Sequence, residues 1–160
     1  MKVKNQQFVI ILENIRSAQN VGAIFRTAEA VGVDKIYLTG YTPAPFDRFG
    51  KKRNDISKAA LGAEEIIPWE SKKSITILIN NLKKQNFEIV GLEQAKNSID
   101  YKKFKIKSNV ALILGNEVEG VSNTSLKKCD QVIEIPMNGK KESLNVSVAF
   151  GIATFRLLNK

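Results

Sequence analysis

Short apolar runs alternate with amphipathic stretches along this chain, and the alternation restricts the possible folds more than any other feature. Five runs are rich in β-branched residues, which is typical of strands buried on both faces of a sheet. The predicted strands are residues 8–12, 35–38, 87–90, 110–114 and 132–135, and the predicted helices are residues 20–31, 71–84, 122–128 and 143–158. This order predicts an α/β fold with a mostly parallel sheet and helices on both faces.

Length and cysteine content indicate how many domains the chain forms and where it works. With 160 residues, 43% of them hydrophobic, the chain can bury one sizeable core. A lone cysteine, Cys129, cannot build a disulfide framework, and no signal-peptide pattern or long apolar run occurs. We therefore expect one soluble, cytoplasmic domain covering residues 1–160.

Histidine is absent, and its absence excludes several kinds of catalysis. Triads that use a histidine base are impossible, and zinc sites lose their usual imidazole ligand. Metal catalysis through carboxylates stays open, but no acidic cluster with metal-ligand spacing appears, so no metal site is predicted. Any chemistry must rest on other polar side chains.

The net charge of +9 is compatible with two interpretations. Clustered lysines and arginines neutralise RNA phosphates and release counterions, which gives strong, salt-sensitive binding. A lysine-rich surface can equally serve solubility alone. Composition does not decide between them.

Two junctions between a strand and a polar, glycine-containing loop stand late in the chain. Residues 111–114 run into residues 115–120, and residues 132–135 run into residues 136–139, followed by 143–145. No two of the ten glycines are two residues apart, and Val121 stands where a phosphate loop needs lysine. The junctions therefore predict a cofactor pocket that is not a glycine cradle around a pyrophosphate.

The first predicted helix carries an arginine on its polar side. Asn20 is a good N-cap, and five apolar residues share one face: Val21, Ile24, Phe25, Ala28 and Val31. Arg26 projects from the opposite side, where a solvated charge is the simplest explanation. The polar stretch of residues 14–20 follows a strand, which is where open α/β sheets place their sites.

Residues 41–54 read as a long loop with a basic cluster, Lys51, Lys52 and Arg53. Loops of this length in compact domains are typically functional or mobile. Tyr41 and Phe46 have side chains that stack on nucleobases, although packing within the loop is the favoured interpretation.

The last predicted helix is apolar on all sides. Val146, Val148, Phe150, Ile152 and Phe155 leave only a thin polar strip. A helix of this kind needs cover all round. We therefore predict a homodimer in which a second copy covers it.

Three sequence blocks together resemble a known enzyme family. They are residues 14–33 (NIRSAQNVGAIFRTAEAVGV), 112–122 (LILGNEVEGVS) and 135–151 (IPMNGKKESLNVSVAFG). In order and approximate spacing they are similar to the motifs of the SpoU (TrmH-type) family, S-adenosylmethionine-dependent RNA 2′-O-ribose methyltransferases of the SPOUT superfamily. The resemblance implies a C-terminal trefoil knot that holds S-adenosylmethionine, and a dimer formed partly by the last helix.

The resemblance also implies roles for individual residues. The implied cofactor-binding residues are Gly115, Ile135, Leu144, Met137, Leu92 and Glu93. The implied catalytic residues are Arg26, Asn20, Glu117, Ser143 and Asn145. Since a guanidinium stays protonated, we expect Arg26 to stabilise the developing alkoxide and the neighbouring phosphate, and that phosphate to assist proton removal. Glu117 fits a role as an anchor of the knot loops equally well.

RNA must then be bound by the catalytic domain itself or with the help of a partner. Many relatives carry an extra N-terminal RNA-binding domain or helical extensions, whereas here the first block begins close to Met1. The predicted RNA-binding residues are Arg26, Lys51, Lys52, Arg53 and Tyr41, and the small size favours tRNA over rRNA.

Three other functions stay open at this point. The chain is alternatively a SPOUT RNA base methyltransferase, a non-catalytic RNA-binding module of the same fold, or a transferase for a small molecule or protein. The pairing of Asn20 with Arg26, and residues 143–145, favour the ribose.

Overall fold

A sheet of parallel strands forms the centre of the computed structural model, which describes residues 6–160. Within these residues seven strands pair in the order β3-β2-β1-β6-β4-β7-β5, and every pairing is parallel. The strands are β1 (Phe8–Glu13), β2 (Lys35–Thr39), β3 (Trp69–Lys72), β4 (Phe87–Leu92), β5 (Ile99–Asp100), β6 (Asn109–Leu114) and β7 (Gln131–Glu134). The predicted α/β class and parallel sheet are confirmed.

Helices cover both faces of the sheet. They are α1 (Ala18–Val31), α2 (Asn54–Ala60), α3 (Ala63–Ile66), α4 (Ile75–Lys84), α5 (Asn123–Lys128) and α6 (Val146–Leu157), with a 3-10 helix at Tyr101–Lys103. Side chains alternate along β1, so that Ile10 and Leu12 join a core with α1 and α6, whereas Val9 and Ile11 join a core with α4. Among residues 6–160, none of the helices has the length and apolar character that crossing a membrane requires.

Three of the four predicted helices begin two or more residues away from the predicted start, whereas α5 begins one residue from it. The N-cap of α1 is Ser17, whose side chain accepts a hydrogen bond from the backbone of Asn20, so the prediction of Asn20 as N-cap is wrong. The predicted helix 71–84 begins only at Ile75, because β3 occupies its first residues. The last helix begins at Val146, which leaves residues 143–145 as a connecting segment with Asn145 as N-cap.

Four short elements were not predicted: β3, β5, α2 and α3. The strands WESK and ID lie at the two edges of the sheet and lack an apolar run, because edge strands bury less of their surface. Helices of seven and four residues show too little periodicity for a sequence pattern.

The strand order decides where a site can form. Because β1, β6, β4 and β7 are neighbours and parallel, the segments that follow them emerge along one edge of the sheet. The chain direction across the sheet also reverses between β1 and β6, and open α/β sheets bind ligands in the crevice at such a point. Both late junctions and the polar start of α1 therefore meet at the carboxyl edge.

Candidate functional site

A cleft of about 470 Å³ opens at the carboxyl edge of the sheet, and we call it the carboxyl-edge cleft. Its walls come from the ends of β4 and β6, the segments after β6 and β7, and the first turn of α6. This volume is typical of small-molecule sites in proteins. All six predicted cofactor-binding residues line it: Leu92, Glu93, Gly115, Ile135, Met137 and Leu144.

The charges around this cleft have one sign. Four glutamates line it, Glu93, Glu117, Glu119 and Glu134, and no lysine or arginine stands among its lining residues. Carboxylates that line a cleft repel an anionic ligand and attract a cationic one. The cleft therefore suits a ligand that carries positive charge on an otherwise apolar body.

The loop after β6 closes on itself and requires glycine at its start. The backbones of Asn116 and Gly120 exchange two hydrogen bonds of 3.1 and 2.9 Å. A Cβ atom on Gly115 would lie 2.1 Å from the backbone nitrogen of Val121 and 2.2 Å from the carbonyl carbon of Gly120. Only glycine permits this closure, so Gly115 shapes the cleft by having no side chain.

Asn116 organises the same loop, and sequence reasoning did not single it out as a site residue. This residue is 7% exposed and lies between the strand and the turn. Its Oδ1 accepts hydrogen bonds from the backbones of Val118 and Glu119, and its Nδ2 donates to the carbonyl of Asn14 and the hydroxyl of Tyr41. A buried amide with all these partners fixes a loop conformation. Its position directly after Gly115 was the available signal.

Glu117 connects this loop to the N-terminus of α1. Its carboxylate accepts hydrogen bonds from the backbones of Arg16 and Ser17, both 3.0 Å, and from Nδ2 of Asn20 at 3.1 Å. Burial alone would raise the pKa of Glu117, but these three hydrogen bonds outweigh it and hold the pKa below its ordinary value. The carboxylate is thus ionised at neutral pH and satisfies orphan donors at the start of the helix.

Asn145 extends the network to the last helix. Its Oδ1 accepts from the backbones of Ser147 and Val148 and caps α6, while its Nδ2 donates to Oδ1 of Asn20 at 3.1 Å. Asn20 therefore bridges Glu117 and Asn145. Ser143 lines the cleft two residues earlier, so four of the five predicted catalytic residues meet here.

Arg26 is the predicted catalytic residue that the structure does not bring to the cleft. Its side chain is exposed and is not among the lining residues. Arg26 follows Asn20 by six residues, which is about 9 Å along the helix axis. Within one chain Arg26 therefore lies on the exposed side of α1, outside the carboxyl-edge cleft.

Two further glutamates stabilise the loop after β6 through hydrogen bonds. Glu93 accepts hydrogen bonds from the backbones of Val121 and Gln94, so it anchors the loop in addition to lining the cleft. Glu13 is buried at the end of β1 and accepts from the backbone and hydroxyl of Ser122 and from the hydroxyl of Ser125. Sequence reasoning missed Glu13, whose signal is an acid that ends a fully buried strand.

The predicted RNA-binding cluster is largely neutralised within the chain. Lys52 Nζ lies 2.8 Å from Glu65 and 3.3 Å from the buried Glu64, and Arg53 forms an ion pair of 2.6 Å with Asp55. Among the described residues Lys51 has no ion pair, and its side chain is exposed. Two of the three predicted cations are thus already partnered.

Aromatic residues of the same loop differ in their surroundings. Phe46 stacks on Trp69 with ring centroids 6.5 Å apart, which confirms that it packs within the protein. Tyr41 is exposed, with its hydroxyl hydrogen-bonded to Asn116. Phe49 is 80% exposed with Arg48 4.8 Å from its ring, and sequence reasoning had not considered Phe49 or Arg48.

Comparisons with known proteins agree with this geometry. A profile of the SpoU rRNA Methylase family matches residues 7–155. A Staphylococcus aureus (strain COL) protein assigned to the TrmH family tRNA/rRNA methyltransferases is 34% identical over 152 residues, which cover 95% of this chain and 58% of that protein. The 23S rRNA (guanosine-2′-O-)-methyltransferase RlmB of Escherichia coli K12 is 33% identical over 156 residues, with 98% and 61% covered. The chain thus spans about three fifths of the length of these curated relatives.

A solved structure also matches in three dimensions. The AdoMet-bound rRNA methyltransferase of Sinorhizobium meliloti superposes with a TM-score of 0.83 at 26% identity. The match covers 96% of this chain and 56% of that chain. The likeness therefore extends over nearly the whole of this chain.

Proposed function

Because the chain belongs to the SpoU rRNA Methylase family, we propose that it transfers a methyl group from S-adenosylmethionine to a ribose 2′-hydroxyl of tRNA or rRNA. The observation that carries the proposal is the carboxyl-edge cleft, which has apolar walls, four glutamates and no lining cation. The relative named as a TrmH family tRNA/rRNA methyltransferase and the one named as a 23S rRNA (guanosine-2′-O-)-methyltransferase support the choice of acceptor.

The residues of the cleft fit S-adenosylmethionine. Leu92, Ile135, Met137 and Leu144 would hold the flat adenine, and the missing side chain of Gly115 leaves the backbone open to it. The carboxylates would oppose the positive sulfonium and ammonium groups, whereas they would repel a pyrophosphate. When bound, S-adenosylmethionine supplies a methyl group attached to a positively charged sulfur.

The chain's own polar residues would position the acceptor. The hydrogen bonds that join Glu117, Asn20 and Asn145 fix the rim of the cleft before any ligand binds. Such preorganisation lowers the barrier to a reaction that needs three atoms in line. Ser143 lines the cleft, and its hydroxyl would orient the ribose hydroxyl.

Arg26 would act on the RNA. A ribose hydroxyl is a poor nucleophile, and it would have to lose its proton as it accepts the methyl group that S-adenosylmethionine would supply. Because Arg26 does not line the cleft within one chain, its guanidinium would meet that oxygen and the adjacent phosphate only in the RNA-bound homodimer, where it stabilises the developing negative charge on both. The adjacent phosphate would accept the proton of the hydroxyl and pass it to water.

The RNA surface we propose extends from Arg26 along residues 41–53. Tyr41 and Lys51 are exposed there, and Phe49 with Arg48 adds an exposed ring and a cation. Lys52 and Arg53 contribute less than the sequence predicted, because their charges already oppose Glu65 and Asp55. We retain tRNA as the favoured substrate over rRNA.

A homodimer is part of the proposal. Val148, Ile152 and Phe155 are 50%, 39% and 42% exposed, and their spacing of four and three residues forms one apolar stripe on α6. A second copy of the chain would cover this stripe. Light scattering at micromolar concentration should give twice the chain mass, and Ile152→Glu should reduce it to the chain mass.

A trefoil knot in the C-terminal third is also part of the proposal. Gln94 Nε2 donates to the carbonyl of Glu142 at 2.7 Å, and Asn145 donates to Asn20. Glu142 thus contacts the segment after β4, and Asn145, three residues later in the chain, contacts the start of α1. A knotted chain pulled from its termini should extend to less than the roughly 3.3–3.6 Å per residue of an unknotted one.

Substitution of Arg26 tests the assignment of catalysis. Arg26→Ala should reduce methyl transfer to RNA by about 10²–10³-fold or more, the usual effect of removing one charge-stabilising group. Calorimetry should find S-adenosylmethionine binding unchanged, because Arg26 does not line the cleft. Arg26→Lys should retain part of the activity, and full activity in Arg26→Ala would refute the role.

The acceptor RNA is identified by mapping. Comparison of 2′-O-methyl positions in total RNA from cells with and without this protein should reveal one lost position, in tRNA. An unchanged map would contradict the proposed reaction.

A further inference from the structure

A second cleft, of about 300 Å³, lies on the chain away from the carboxyl edge, and we call it the amino-edge cleft. It is formed by residues 6–8 at the start of β1, residues 102–106 before β6, and residues 156–159 at the end of α6. Segments that precede parallel strands lie at the amino edge of the sheet, opposite the carboxyl edge, where the segments that follow the strands lie. None of its lining residues takes part in the carboxyl-edge cleft.

The lining of the amino-edge cleft is positively charged and contains no acid. Lys102, Lys105 and Arg156 are all exposed at its rim, and no aspartate or glutamate stands among the lining residues. In the part of the chain that the structure describes, no carboxylate lies within ion-pair distance of these three side chains. Their charge is therefore uncompensated, in contrast to that of Lys52 and Arg53.

The remaining lining combines apolar and amide side chains. Phe104 and Ile106 are half-buried, Leu157 is 7% exposed, and the amides of Gln7 and Asn159 stand beside them. Three cations over such a floor match a phosphate attached to a sugar and base more closely than a free inorganic ion. Phosphate contacts of this type position a nucleic acid without reading its sequence.

We propose that the amino-edge cleft binds the phosphodiester backbone of RNA at a point distant from the nucleotide that is methylated. The inference rests on the proposed function, since it takes RNA as the substrate. Strands β1 and β6 are six residues long each, so the two edges lie roughly 20 Å apart. At about 3.4 Å per nucleotide along a duplex strand, this distance corresponds to roughly six nucleotides.

A salt titration of RNA binding tests this contact with a matched control. The cleft variant is Lys102→Gln/Lys105→Gln/Arg156→Gln, and the control is Lys73→Gln/Lys84→Gln/Lys127→Gln, which removes three charges that line neither cleft. The probe is a fluorescein-labelled RNA hairpin with a stem of about 20 base pairs, longer than the roughly six nucleotides that separate the two edges. The slope of log Kd against log salt should fall by about 3 in the cleft variant and by less than about 1 in the control.

Lysine footprinting locates the contact in the unaltered protein, so the test does not depend on a variant that folds. Acetylation with an amine-reactive ester should modify Lys102 and Lys105 several-fold more slowly when the hairpin is present. Lys73 and Lys84 should react at the same rate with and without RNA.

The outcomes separate this proposal from the proposed function. Equal slopes for the cleft variant and the unaltered protein, an equal fall in both variants, or unchanged acetylation of Lys102 and Lys105 in the presence of RNA would each overturn the RNA contact. Neither titration nor footprinting requires methyl transfer. A protein with the predicted slopes and protections that methylates no RNA would support the contact and refute the reaction.

Discussion

The two edges of the same sheet carry clefts of opposite charge. At the carboxyl edge four glutamates and no cation line the larger cleft, and at the amino edge two lysines, an arginine and no acid line the smaller one. Both clefts have apolar floors, so shape alone would not assign their ligands. The sign of the charge assigns them, because a sulfonium compound is attracted by carboxylates and an RNA phosphodiester backbone by cations.

The clefts also differ in how firmly their polar groups are held. At the carboxyl edge Glu117, Asn20, Asn145 and Asn116 are hydrogen-bonded to one another or to backbone. At the amino edge the cations extend into solvent without ion pairs among the described residues. A fixed network suits the precise placement of reacting atoms, and exposed cations without ion pairs suit contact with a backbone whose sequence is not read.

Gly115→Ala should produce the largest loss, and only at the carboxyl edge. The added Cβ would overlap the backbone of Val121, and overpacking of this kind costs roughly 1–3 kcal/mol. If the loop opens to relieve it, S-adenosylmethionine affinity should fall by about 5- to 150-fold in calorimetry. Gly139→Ala is the control, because a Cβ added at Gly139 would have nothing within 4 Å, and equal losses in both variants would contradict the account.

Neutralising two glutamates tests the importance of charge directly. Glu119→Gln/Glu134→Gln should weaken S-adenosylmethionine by roughly 1 kcal/mol, or about fivefold, since both groups are partly solvated. S-adenosylhomocysteine lacks the positive sulfur, so its affinity should change less. An identical loss for both compounds would show that the carboxylates act through shape and not charge.

Two substitutions of Asn145 distinguish its role as the cap of α6 from its role in the hydrogen-bonded network of the cleft. Asn145→Ala removes the cap of α6 at a cost of about 1 kcal/mol, which lowers Tm by about 2–4 °C in a chain of this size. Asn145→Asp keeps the capping oxygen but loses the amide that donates to Asn20. Calorimetric melting should therefore distinguish the two variants, while both should lose methyl transfer activity.

Acid titration should have the smallest effect and concerns Glu117. Its pKa lies below the ordinary value of 4.5, so its hydrogen bonds stabilise the folded chain fully above pH 4.5 and are lost as the pH falls through the lowered pKa. Glu117→Gln should cost about 1 kcal/mol near neutral pH, since the group is largely exposed. The stability difference between the variant and the unaltered protein should vanish in acid, and a constant difference would contradict the role.

The sequence predicted the central strands and the residues that line the carboxyl-edge cleft. It did not predict the hydrogen bonds that join those residues. Apolar runs determine buried strands, so β1, β4 and β6 were found, and the blocks identified Gly115, Glu117 and Asn145. The bridge made by Asn20 joins residues about a hundred positions apart along the chain, and no local pattern encodes such a contact. The same limitation explains why the sequence predicts a helix cap at Asn20, whereas the structure has the cap at Ser17.

Charge clusters were the least predictable feature. Lys51, Lys52 and Arg53 are adjacent in sequence and were favoured as an RNA site, yet Glu64 and Glu65 lie against Lys52 through the fold. Lys102 and Lys105 stand about fifty residues before Arg156, and the three converge only because α6 ends beside the segment before β6. Net charge can be counted from the sequence, whereas the fold determines which charged side chains have no ion-pair partner.

The most direct test follows a labelled methyl group. Purified protein is incubated with unmodified tRNA, and in parallel with unmodified rRNA, together with S-adenosylmethionine carrying a trideuterated methyl group, and the RNA is digested to nucleosides for mass spectrometry. We expect the label on the ribose of one tRNA nucleoside, and none when Arg26→Ala replaces the unaltered protein. A label on a nucleobase, or unlabelled tRNA and rRNA despite tight S-adenosylmethionine binding, would contradict it.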